Sequence, residues 1–190
     1  MTRNNEILQT IEANRIPVLP FELTLAKRAF EGHVQEQAHL SERQFEAMNQ
    51  SSETWHDNAP AEAIAQASKA LSALASHTMR IMSQSDVFEY EASVEDGVTL
   101  GSLVAVRYGS SSDTTHFYIT GATREVTEEI EAALPEVEDL EIITVSSPVG
   151  KALLGAKSGE TTDFLAPNGR SIPLHVESVD QISVTLPSEE

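Results

Sequence analysis

The sequence predicts an α+β protein, with a helical hairpin in its first half and a small mixed domain in its second. Three observations predict it. Between residues 21 and 81 apolar residues recur at steps of three and four. From about residue 88 that period gives way to short β-branched and aromatic runs. Two of these runs end at Gly and two others are joined at Asn-Gly, the punctuation of strands and turns.

At the start of the chain, "MTRNNEILQTIEANRIPVLP" has no continuous apolar core of the secretory type, and its role is left open. From Phe21 to Met48 the chain has no Pro and a single Gly, Gly32, while Phe30, Val34, Ala38, Ser41, Phe45 and Met48 trace one helical stripe. An alanine-rich stretch comes next, in which Ile64, Ala67, Leu71, Leu74, Thr78 and Ile81 alternate steps of three and four, the pattern of a coiled-coil seam. Two seams joined by a short connection, about residues 51–60, imply an antiparallel helical hairpin within residues 1–87. Residues 88–190 are expected to form the second domain. Its strands are "SLVAVRYG", "THFYITG", "EIITVSS", "TTDFLAP" and "SIPLHVESV", the last two joined by a turn at Asn168-Gly169. "SPVGKALLG" reads as a short helix with Ser147 as cap, Pro148 in the first turn and Gly155 as the stop. Residues 124–141 read as an acidic helix with Val126, Ile130 and Leu134 on one side.

Composition narrows the function. The chain carries 12 Lys and Arg against 30 Asp and Glu, a net charge of −18, which argues against wrapping nucleic-acid phosphates. Without cysteine there are neither disulfides nor thiolate metal sites. No apolar run approaches the ~18–20 residues of a membrane span, so no membrane partner and a cytoplasmic location are expected. "GKALLGAKSGE" is not a phosphate loop, because Val145 and Ala152 stand where Gly and Ser or Thr are needed. The six histidines show no metal-ligand spacing, and Ser146 and Ser147 have no evident base. What stands out is "SSETWHDNAPAE", residues 51–62, at the hairpin tip. Asp57 or Asn58 can cap the second helix, with Pro60 in its first turn, but capping accounts for neither Glu53 nor Trp55. Carboxylates at the end of a rigid arm suit the delivery of oxygen ligands to a hard divalent cation.

"LGSLVAVRYGSSSDTTHFYITG" followed by "ITVSSPVGKALLGAKSGETTDFLAPNGRSIPLHVESV" resembles the C-terminal domain of the GreA/GreB transcription elongation factors over about 90 residues, apart from extra length at 124–139. The resemblance implies an FKBP-like domain that docks on the rim of the RNA polymerase secondary channel through the Ser-Pro segment and its helix, here Ser147, Pro148, Gly150 and Leu153. Family members active in cleavage carry an acid, two spacers and Glu-Asn-Ala at the hairpin tip. Here Asp57-Asn58-Ala59 puts Asp57 at the position of that Glu; Thr54 stands at the acid's position and Glu53 lies one residue earlier. The resemblance further implies a factor, not itself an enzyme, that lends Asp57 and Glu53 to a magnesium ion shared with the polymerase, with Trp55, His56 and Asn58 as tip contacts. Backtracked RNA would then be cleaved. Arg43 and Lys69 are the candidates for weak contact with the RNA 3′ end, and a monomer is expected. Two other readings stand beside it: a secondary-channel binder that modulates or inhibits the polymerase without cleavage, and a protein akin to the nucleoside diphosphate kinase regulators that share this domain. Peptidyl-prolyl isomerase activity is a lesser option, since the only Trp lies in the other half.

Overall fold

In the computed structural model, which describes residues 2–50, 59–90, 97–109, 111–122 and 125–186, the chain runs α1 (Arg3–Glu12), β1 (Ile16–Val18), α2 (Pro20–Gln50), α3 (Ala59–Gln84), β2 (Ser85–Val87), β3 (Ser102–Tyr108), β4 (Thr114–Thr120), α4 (Thr127–Ala133), β5 (Leu140–Thr144), α5 (Pro148–Leu153), β6 (Thr161–Leu165) and β7 (Ser171–Gln181). It divides into two compact units, Met1–Leu23 with Gln84–Glu190, and Thr24–Ser83. The first unit therefore takes in the N-terminal residues that a boundary at 87/88 would leave with the hairpin. The reason is burial: Ile7 of α1 and Leu19 sit in the same apolar cluster as Val104, Phe117, Leu153 and Val176. In addition β1 pairs in parallel with β2, Ile16 opposite Ser85 and Val18 opposite Val87.

Within this unit the strands order β5-β4-β3-β7-β6, antiparallel except for the β4–β5 pair. A parallel pair needs a crossover, and α4 lies within it. β3 and β4 alternate as a sheet facing a core must, with Val104 and Val106 of β3 and Phe117 and Ile119 of β4 in the apolar cluster. All five expected strands are present. The acidic helix is shorter than the expected 124–141, because Pro135 follows Leu134 and disfavours helical backbone there. Ile130 is its buried residue; of its two caps, Val126 is buried and Leu134 half-buried.

In the second unit α2 and α3 double back on one another, with Gln37 Nε2 donating to Ser68 Oγ. The seam expected on α3 is present, with Ile64, Leu71, Leu74, Thr78 and Ile81 withdrawn from water and Ser68 taking the place of Ala67. The seam expected on α2 is displaced by about one residue. Val34 is 52% exposed and Phe45 69%, while Phe30, His33, Gln37, Leu40 and Gln44 turn inward. The physical cause is that the apolar residues of α2 do not sort onto one face. Leu40, 6% exposed, and the Gln37–Ser68 bond lie on the face that meets α3, and one residue's offset turns a helix by about 100°.

Candidate functional site

Helix α5 is fixed by three features of "SSPVGKALLG". Ser147 takes extended backbone at the N-cap, and its Oγ accepts the Gly150 N–H at 3.0 Å. Pro148 opens the helix, where a missing N–H costs nothing. At the far end Gly155 adopts φ +83° and its N–H donates to Val98 O at 2.8 Å. Gly150 has a different task. A Cβ there would lie 2.2 Å from Thr144 O, so the helix rests directly on the end of β5. Leu153 is fully buried in the core. Of the four residues expected to dock, Gly150 and Leu153 therefore hold the helix in place instead of presenting a side chain. Ser147 is half-buried with its hydroxyl engaged in the cap, and Pro148 is exposed together with Lys151, a residue outside the expected set. Ser147→Ala should cost about 1 kcal/mol of stability by loss of the cap, read from urea denaturation of the full chain. An unchanged midpoint would count against the cap.

The tip residues Glu53, Trp55, His56, Asp57 and Asn58 lie outside the described residues. Arg43 on α2 and Lys69 on α3 are exposed. Among the described residues no group of three or more His, Asp or Glu side chains gathers as a metal site. His116 Nδ1 lies 3.0 Å from Glu138 O, and His175 Nδ1 lies 3.1 Å from Thr161 Oγ1. Among the described residues no helix is long and apolar enough to cross a membrane.

Two further positions emerge only from the structure. Glu22, in the first turn of α2, is fully buried and its Oε2 accepts the Leu19 N–H at 2.7 Å. Its signal in the sequence is a Glu at the third position of a helix, half of a capping box without the Ser or Thr partner. Gly121 lies so close to β1 that a Cβ would meet Pro17 O at 1.8 Å. Beside them Arg15 and Asp86 form an exposed ion pair, Nη2 to Oδ1 2.6 Å, and hydrogen bonding to Arg15 holds the Asp86 carboxyl below its ordinary value.

Residues 93–181 match the family described as "Transcription elongation factor, GreA/GreB, C-term". Curated relatives agree. The transcription elongation factor GreA of Saccharopolyspora erythraea is 45% identical over 69 residues, 36% of either chain. That of Mycobacteroides abscessus is 39% identical over 94 residues, 47% of this chain and 51% of its own. The chain thus spans about half, or less, of the length of these relatives. GreA factor homolog 1 of Thermus thermophilus aligns over 87% of this chain and 98% of its own, at 19% identity and a TM-score of 0.39. Five strands in the expected order, the capped Ser-Pro helix and the Asn-Gly turn all lie inside residues 93–181, the span that matches the C-terminal domain of the GreA/GreB transcription elongation factors.

Proposed function

We propose that this protein is a transcription elongation factor that binds bacterial RNA polymerase through its secondary channel and stimulates cleavage of backtracked RNA, without being a free-standing enzyme. One observation carries the reading: a GreA/GreB C-terminal domain and a pair of long helices occur in one chain, and the residues connecting those helices hold Glu53 and Asp57. The sheet unit supplies the anchor, with Pro148 and Lys151 of α5 as its exposed contact points. The two carboxylates supply oxygen ligands, which fit a hard cation. Magnesium, when bound in the complex, supplies charge stabilisation and an activated water. Asp57 and Glu53 would orient that water by hydrogen bonding and hold the ion in the polymerase site. A cytoplasmic location accords with that partner.

The placement of the first acid at Glu53, with Thr54 where the family has an acid, favours a second reading: occupation of the secondary channel that modulates or inhibits the polymerase without cleavage. The test uses stalled, backtracked elongation complexes in magnesium. Release of short 3′ RNA fragments by the full chain supports the first reading. Binding to the polymerase without fragments supports the second. Absence of binding at low salt defeats both and leaves a regulator of another protein.

A further inference from the structure

Glu22 is a carboxyl group with 0% exposure, and among the described residues no cation or second carboxylate stands among the groups that shift its titration. Its surroundings can be counted hydrogen by hydrogen. Oε2 faces the Leu19 N–H at 2.7 Å and the Gly121 N–H at 3.3 Å, and Oε1 faces the Gly121 N–H at 3.0 Å. Oε1 also lies against Thr120 Oγ1. That hydroxyl has the Ala122 carbonyl at 3.2 Å and the Ala122 N–H at 3.3 Å. Thr120 owns one hydroxyl proton. With Glu22 ionised, the carboxylate and the Ala122 carbonyl compete for it inside a buried turn, Thr120 being 0% and Ala122 4% exposed. A buried acceptor left without its partner is costly. One more proton resolves the competition. A Glu22 O–H donates to Thr120 Oγ1, the Thr120 O–H donates to Ala122 O, and the Ala122 N–H donates back to Thr120 Oγ1.

We propose that Glu22 is held as the neutral acid and acts as a proton-dependent latch, fastening the first turn of α2 to the turn after β4, and that loss of this proton loosens the attachment. The same turn is pressed onto β1 by the contact of Gly121 with Pro17, so the latch secures β1 as well. Burial pushes the Glu22 carboxyl up to about 8, against the opposing hydrogen bonds from the Leu19 and Gly121 N–H groups. The titratable group facing it is Tyr118 on β4, with Tyr90 beyond; burial first and Glu22 second raise the Tyr118 hydroxyl. Among the described residues, the groups that hydrogen-bond to it are the Leu19 and Gly121 N–H groups and the Thr120 hydroxyl. None of this depends on the proposed action on polymerase.

Linkage sets the sign of the effect. The folded protein keeps a proton that the unfolded chain releases above its ordinary value of 4.5, so stability is lost as pH rises from 4.5 to about 8 and levels off beyond. Two measurements on the full chain test this. Carbon-detected NMR of labelled Glu22 should show a carboxyl midpoint near 8. Urea denaturation of wild type and Glu22→Gln should show the wild-type folding constant falling relative to the variant by about tenfold per pH unit between those limits. A midpoint below 5, or parallel stability profiles, would overturn the latch. If Glu22→Gln does not fold, the NMR midpoint of the wild type decides alone.

Discussion

Gly121→Ala is expected to remove about 3 kcal/mol or more from the stability of the sheet unit, beyond the ordinary range for one added methyl group. The new Cβ would lie 1.8 Å from Pro17 O, 2.8 Å from Pro17 C and 3.0 Å from Val18 Cγ1. Two of these atoms are backbone, and β1 is not free to retreat, because it is paired with β2 and leads into the buried Leu19. Relief requires parting β1 from the β4 turn. That would break the Gly121–Glu22 hydrogen bond and wet Val18 and Leu19, now 0% and 1% exposed. Gly32→Ala is the matched control. Nothing lies within 4 Å of that Cβ, and the residue sits inside α2, so Ala should stabilise by about 0.5–1 kcal/mol. Urea denaturation of both variants decides it. Equal and small effects would mean that the β1 contact is readily relaxed.

Asp57→Ala should reduce release of 3′ RNA fragments by about a hundredfold while leaving polymerase binding intact, the order of loss when a charge-stabilising group is withdrawn from a reacting centre. Binding survives because the anchor is assigned to the other unit, where α5 is held by Ser147, Gly150 and Leu153. Glu53→Ala should behave alike if the displaced acid serves as the second ligand. Placing an acid by Thr54→Asp should raise fragment release if the one-residue offset limits the reaction. Equal cleavage by wild type and Asp57→Ala would remove the tip carboxylates from the mechanism.

Sequence and structure agree where local chemistry decides. Ser147-Pro148 and Gly155 bound a helix in any context, and the alternation of Val104, Val106, Phe117 and Ile119 needs only a covered sheet face. The α3 seam is legible because it has a single apolar stripe. On α2 apolar residues occupy two faces, and only the partner helix selects between them, which is why Val34 and Phe45 are exposed. Pro135 is visible in the sequence, yet the acidic run around it suggests a longer helix than forms. β1 and β2 are three residues each and exist only through their mutual pairing, so no local pattern announces them. Glu22 is hidden for a related reason: the Leu19 N–H is local, but its other backbone donor, Gly121, lies 99 residues away. At the candidate site, the capped helix is readable in "SSPVGKALLG", whereas the inward turn of Gly150 and Leu153 appears only once β5 is in place.

The pairing of chain ends across the long helices has a consequence for biogenesis. Arg15 meets Asp86 across 71 residues, and Glu22 meets Gly121 across 99. At roughly 5–20 residues per second of synthesis, the acid waits about 5–20 s for its glycine. During that interval the helices, whose contacts are local, are free to assemble first. Ile7 and Leu19 meanwhile cannot complete their burial until Leu153 and Val176 have been synthesised.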